Sequence, residues 1–301
     1  MAFSSSGALL GQVGRKIAVY RVRERRIAVR SDWHYPHPAA IAFGLRDEWF
    51  AVRSTTGAIA VASAEDGHPR DRLPPPSDSA DDSPLRTAPH DHLVEACSSG
   101  TLRVRRVSGL AVEYVEQHPD HMLGAIDSTP DQSLWVIAVN RRQLDAPAQL
   151  PCRLELRGWP FATANRRVLR EDLGFIYAVS INRQHHTVAV VHRPASTRGY
   201  TITSISTDNG ATLRESTSTN WTSHQGFAWS PDAKHIVIGT GSGHALLNAD
   251  LQPVGHLAGE YPSDAAFSPD GALLALGYWG RGIVIPTADL RHWFASDRAA
   301  V

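Results

Sequence analysis

The chain has 301 residues, 42% of them hydrophobic and 20% charged, and its thirty basic and thirty acidic residues cancel. A neutral chain has no global field to draw it onto a polyanion or an anionic membrane, so binding of that kind needs a local patch. No run approaches the roughly 18 apolar residues of a membrane span, and Met1 to Leu10 shows neither the basic start nor the apolar run of a secretory signal. A cytoplasmic protein without membrane attachment is expected.

Cys97 and Cys152 are too few for a disulfide framework, and their neighbours suggest no metal knuckle. Among the basic residues only Lys16 and Lys234 are lysine. Such an arginine bias fits a GC-rich genome and suggests a bacterial source.

Taken in chain order, short apolar segments recur around turns. Phe3-Ser4-Ser5-Ser6-Gly7 leads to Leu9-Leu10-Gly11 and then Ile17-Ala18-Val19-Tyr20. Ala40-Ile41-Ala42-Phe43 leads through Arg46-Asp47 to Trp49-Phe50-Ala51-Val52 and Ile59-Ala60-Val61. His90-Asp91-His92 precedes Leu93 to Cys97 and Thr101 to Val104, Ser128-Thr129-Pro130-Asp131 precedes Leu134 to Ala138, and Ile181-Asn182 precedes Thr187 to Val191.

The last two units are the plainest: Phe227-Ala228-Trp229-Ser230-Pro231-Asp232 before Ile236-Val237-Ile238, and Ala265-Ala266-Phe267-Ser268-Pro269-Asp270-Gly271 before Leu273-Leu274-Ala275-Leu276. Proline presets φ for the second residue of a type I turn, Ser and Asp side chains bond the turn backbone, and Gly closes it. Each unit is therefore a hairpin followed by a third strand.

Anchors fall near residues 3, 43, 88, 128, 181, 229 and 267, spaced by 38 to 53 residues, against the roughly 40–45 of a four-stranded propeller blade. The expected fold is all-β: a single β-propeller spanning residues 1–301, with seven four-stranded blades. Surface loop insertions are expected at about 73–89, which holds Pro74-Pro75-Pro76, and at about 140–150.

Gly255-His256, ahead of Phe267-Ser268-Pro269-Asp270-Gly271, resembles the WD-repeat pattern, in which a Gly-His pair precedes the inner strand and its Ser-Pro-Asp-Gly turn. The closing Trp-Asp dipeptide of that family is absent, and Arg281 stands near its usual turn aspartate, so the resemblance is to a degenerate form. TolB-like and peptidase-associated propellers share the same turn and the same architecture. What the WD-repeat resemblance implies is a scaffold presenting loops to protein partners, usually without catalysis.

In such a propeller the links between blades and the turns between second and third strands reach one face. The links hold Trp33, His34, Tyr35, His37, His90, His92, His118, His121, Tyr177, Trp221, His224 and Tyr261; the turns hold Arg15, Arg53, Arg141, Arg142, Arg193, Arg198, Trp279 and Arg281. Tyr, Trp and Arg dominate binding hot spots because they supply large rigid contact area and several donors. This face is the expected docking surface of a protein partner in a multi-subunit assembly concerned with signalling, stress or defence.

The rival from another class is a metal-dependent hydrolase or lyase, because His34 with His37, His90 with His92, and His118 with His121 are close pairs on converging loops. Nucleic-acid binding through the arginine loops is a weaker alternative. No Gly-x-Ser-x-Gly elbow or phosphate loop occurs, and Gly239-Thr240-Gly241-Ser242-Gly243 lies between two strands. The turn aspartates Asp131, Asp232 and Asp270 are accounted for by turn geometry. No cofactor is expected.

Overall fold

A computed structural model describes residues 1–14, 16–31, 38–75, 84–142, 151–182, 184, 186–194, 198–222, 226–278 and 281–295. The chain packs as two compact units, Met1–Gly124 and Ala125–Val301. Every sheet is an antiparallel meander taken in chain order.

The first unit holds sheet 1 (β1 Ala2–Phe3, β2 Leu9–Gln12, β3 Ile17–Arg21, β4 Arg26–Ser31) and sheet 2 (β5 Pro38–Phe43, β6 Trp49–Ser54, β7 Ile59–Ser63, β8 Pro69–Leu73). Sheet 3 follows (β9 Leu85–Ala88, β10 His92–Ala96, β11 Thr101–Arg106, β12 Val112–Gln117). The unit boundary falls inside the first strand of sheet 4 (β13 His121–Ser128, β14 Leu134–Arg141, β15 Arg153–Gly158, β16 Arg166–Arg170).

The second unit continues with sheet 5 (β17 Phe175–Asn182, β18 Thr187–Arg193, β19 Tyr200–Ser206, β20 Thr212–Ser218) and sheet 6 (β21 Ala228–Trp229, β22 His235–Thr240, β23 Gly243–Asn248, β24 Pro253–Ala258). Sheet 7 has three strands among the described residues (β25 Pro262–Phe267, β26 Leu273–Tyr278, β27 Arg281–Pro286), where four were expected. A single helical turn, α1 (Leu290–Trp293), follows it.

Each of the seven expected anchors lies at or within a residue of the end of a first strand, so the repeat was read in register. The second strands are buried almost end to end, as in β6 and β14. Strands covered on both faces read as continuous apolar runs rather than as alternation. One core cluster lies between sheets 2 and 3, where Trp49 and Ile59 meet Leu85 and Leu93, and another between sheets 4 and 5, where Val136 and Leu154 meet Ile176 and Val188. Burying each such aliphatic side chain contributes about 1.5–3 kcal/mol relative to leaving it exposed.

The turn chemistry repeats across the chain. Ser230 and Ser268 each donate from Oγ to the aspartate two residues on, at 2.7 and 2.6 Å, and accept the backbone N–H five residues on at 2.9 Å. Thr129 makes the same pair of bonds with Asp131 and Leu134. The residue closing each turn has positive φ: Gly7, Gln132, Ala233 and Gly271 among them. The aspartates are therefore turn residues, as their sequence context indicated.

Two expectations about loops change. Residues 73–89 are not all loop, because β9 occupies Leu85–Ala88; its Arg86 and Thr87 hid an otherwise short strand. His90 and Asp91 then form the turn between β9 and β10, so His90 and His92 sit at the opposite end of sheet 3 from the inter-sheet links.

Two buried carboxylates tie the polar interior together. Glu95 on β10 meets Arg105 at 2.5 Å and Arg53 of β6 at 3.6 Å. Glu155 on β15 is fully buried and meets Arg153, Arg157 and Arg166 at 2.6–2.7 Å. Burial pushes the Glu155 carboxyl up, but hydrogen bonds and charge from Arg157, Arg153 and Arg166 together hold it below the ordinary carboxylate range.

Candidate functional site

Antiparallel strands alternate in direction, so the first and third turns of a sheet share one end, and the second turn shares the other end with the link to the next sheet. Contacts within each unit agree. The third turn touches the first through Val107 N–H to Asp91 O in sheet 3 and Thr207 N–H to His186 O in sheet 5. At the other end, His118 N–H donates to Gly100 O in the first unit, and in the second Gly259 N–H donates to Ser242 O and Thr222 N–H to Gly239 O. The second turns and the links are thus neighbours within each unit, as the sequence analysis required.

Burial divides the expected docking residues. Arg53 is 1% exposed and held by Glu95; it belongs to the interior, because a guanidinium at the end of β6 finds a buried carboxylate on the next sheet. Trp221 is 3% exposed, pairs in a bridge with Thr240 and packs against Ile236 and Leu247. His118 and His121 are also buried: His118 Nε2 lies 3.2 Å from Glu116 Oε1, and His121 Nδ1 lies 2.9 Å from Pro119 O. These four are packing residues first. Trp33, His34, Tyr35, His37, His224, Trp279 and Arg15 lie outside the described residues.

The remainder gather in the second unit. Arg142, Arg193, Arg198 and Arg281 are exposed, Arg141 and Tyr177 half-buried, and Tyr261 is 67% exposed. Their positions follow from local structure. Asn140 is fully buried and clasps the Ile176 backbone, donating to its carbonyl at 2.6 Å and accepting its N–H at 2.9 Å. That clasp sets the end of β14, with Arg141 and Arg142, beside Phe175 and Tyr177 at the start of β17.

Phe175 is paired in register with Arg193 of β18. The Phe175 and Tyr177 rings are 4.7 Å apart, and Tyr177 meets Tyr200 of β19 edge-on at 5.3 Å. Partial burial and the neighbouring Tyr200 raise the Tyr177 hydroxyl above its ordinary value, against a hydrogen bond and charge from Arg193 that lower it. Phe175 lies in the Phe175-Ile176-Tyr177 link that sequence placed on this face, whereas Tyr200 was not singled out; its signal is that it opens a strand next to an arginine-bearing turn.

A second group lies where sheets 6 and 7 meet this end. His244 is fully buried and stands edge-on to Tyr278, ring centroids 5.0 Å apart. Neither His244 nitrogen nor the Tyr278 hydroxyl has a hydrogen-bond partner in the described structure. Burial, with the neighbouring His256, lowers His244 to about 4, so it is neutral at pH 7. Arg281 lies over the Tyr278 ring, its guanidinium carbon 5.3 Å from the centroid. His256, of the Gly-His pair, sits on β24 with Nε2 3.2 Å from Thr240 Oγ1 and 3.3 Å from Ser242 Oγ, both of its own sheet.

Among the described residues no three His, Cys, Asp or Glu side chains form a group able to hold a metal. His92 uses both ring nitrogens, at 2.7 Å from Pro89 O and 2.7 Å from Glu113 Oε2. Cys97 and Cys152 are buried, and burial raises the Cys152 thiol, away from the thiolate a nucleophile needs.

No protein-family model and no curated protein matches the chain. Two solved structures are similar to it over almost its whole length. One is hydrazine synthase of Kuenenia stuttgartiensis, with a TM-score of 0.72 at 15% identity, covering 95% of this chain and 94% of that one. The other is the β-propeller domain of Cps50 (Swd1) of Myceliophteria thermophila, with a TM-score of 0.72 at 13% identity, covering 95% of each chain. The fold is a seven-bladed β-propeller. At these identities the likeness is one of fold, and a fold of this kind hosts many unrelated functions.

Proposed function

We propose that the chain is a non-catalytic protein-interaction platform, a WD-repeat-like adaptor subunit of a larger bacterial cytoplasmic assembly, and that it docks its partner through the second turns and inter-sheet links of sheets 4 to 7. The observation that carries this reading is the aromatic cluster of Phe175, Tyr177 and Tyr200 beside Arg193, held by the Asn140 clasp. A rigid aromatic group ringed by arginines has the composition of a binding hot spot. The similarity to a β-propeller domain and to a hydrazine synthase structure supports the scaffold's fold and is compatible with such a role.

A metal-dependent hydrolase or lyase has less support. His92, His118 and His121 are each engaged by backbone or carboxylate oxygens. The test is purification of the tagged chain from its own cells. A partner recovered in fixed ratio, and lost with Arg142→Glu plus Arg193→Glu while the melting curve is unchanged, supports the platform. A chain that purifies alone, carrying a stoichiometric transition metal lost on His118→Ala, contradicts it.

A further inference from the structure

The formal net charge of zero conceals a segregation of charge in the second unit. Its first and third turns carry Asp131, Asp208, Asp232, Asp250 and Asp270, with Lys234 among them. The opposite end carries Arg141, Arg142, Arg193, Arg198 and Arg281. Among the described residues the links at that end also carry Glu171, Asp172 and Glu260, of which Asp172 is held by Arg170, Nε to Oδ1 2.6 Å. In the second unit the turn aspartates thus lie at one end of the sheets and the exposed arginines of the second turns at the other.

We propose that the basic end of sheets 4 and 5 receives an acidic segment of a protein partner, its carboxylates meeting Arg193 and Arg198 and an apolar or aromatic side chain packing on the half-buried edges of Tyr177 and Tyr200. The inference rests on the platform reading and adds the chemistry of the partner. Arginine forks match carboxylates in a bidentate fashion, and the three rings supply apolar area that a purely electrostatic site would lack. A protein segment is favoured over a nucleic acid by two observations. The rings are tilted and edge-on to one another, at 4.7 and 5.3 Å, so they do not form the row of parallel open platforms on which successive bases stack. A nucleic-acid backbone is held by many phosphate contacts spread along a basic face, which a neutral chain does not supply, whereas a short acidic segment needs only the local arginines.

The experiment measures fluorescence anisotropy of the full chain with three labelled probes: decaglutamate, decaglutamine and deca-thymidylate. The expected result is salt-dependent binding of decaglutamate, none of decaglutamine, and at least about tenfold weaker decaglutamate binding for Arg193→Glu with Arg198→Glu, since several exposed ion pairs change sign together. Lys234→Glu, at the other end, leaves binding unchanged. Arg198→Ala alone, at an exposed turn position, provides a second variant should the double variant fail to fold, and weakens binding in the same direction.

Decaglutamate that fails to bind, or that ignores the arginine variants, overturns the inference. So does deca-thymidylate binding more tightly and being lost with the same variants. A chain that still captures its partner through this end yet ignores decaglutamate keeps the platform and loses the acidic chemistry. A chain that binds decaglutamate at these arginines but purifies without any partner contradicts the platform itself.

Discussion

The two ends of the sheets in the second unit are built on different terms. At the end of the first and third turns, the hydroxyls of Ser230 and Ser268 each make two short bonds, and each turn closes on a residue already in the left-handed region. At the end of the second turns and links, both nitrogens of buried His244 and the hydroxyl of Tyr278 lack partners in the described structure, while Arg142, Arg193, Arg198, Arg281 and Tyr261 are exposed and Tyr177 and Tyr200 half-buried. Serine and aspartate bonds of this kind hold a hairpin in register. The exposed Arg142, Arg193, Arg198 and Arg281 of the opposite end present donors toward solvent, where another molecule can reach them. The hydroxyl-bonded turns and the proposed docking surface thus fall at opposite ends of the strands.

The largest perturbation of that contrast is expected at Gly226. Its φ is +68°, and a Cβ there would lie 2.5 Å from His244 Nε2. Gly226→Ala combines backbone strain with overpacking and should cost about 2–5 kcal/mol, read from chemical denaturation. A loss below 0.5 kcal/mol would show that the His244 pocket yields.

His244 itself makes the second prediction. Its folded value of about 4 lies below the ordinary 6.5, so between those values the unfolded chain binds the proton that the folded chain refuses. Stability therefore falls as pH drops from about 6.5 to about 4, by about 3 kcal/mol from this group, and the loss stops below that. In His244→Phe the slope across this window should flatten relative to the parent. An unchanged slope would assign it to other groups; burial also lowers His192 and His235, in the same direction.

At the closed end, Ser268→Ala removes the acceptor of the Leu273 N–H and should cost about 1–3 kcal/mol without touching partner binding. Arg193→Glu with Arg198→Glu should do the reverse: partner binding is lost while stability changes by less than about 0.5 kcal/mol, as for exposed surface changes.

Much of this architecture was legible in the residues. Ser230-Pro231-Asp232 and Ser268-Pro269-Asp270 state their turn in the sequence, and the second strands announce themselves as unbroken apolar runs. The fourth strands did not. Pro69–Leu73 and Thr212–Ser218 are edge strands facing solvent, so they carry charges and hydroxyls and give no apolar pattern. β9 was lost for a different reason: it is partly buried, but Arg86 and Thr87 leave a four-residue strand without an apolar run. The arginines of the second turns could be grouped by topology alone, but sequence could not tell Arg53, drawn inward by Glu95 from a different sheet, from Arg193, which stays out. Nor could it reveal that Tyr177 and Tyr200 meet, since that contact depends on the Asn140 clasp and on the pairing of β18 with β19.

The separation of the two ends is tested most directly by hydrogen exchange on the chain with and without its isolated partner. New protection at residues 141–142, 175–177 and 198–200, with none at 231–234 or 249–251, is the predicted result. Protection confined to the aspartate turns, or spread equally over both ends, would contradict the account.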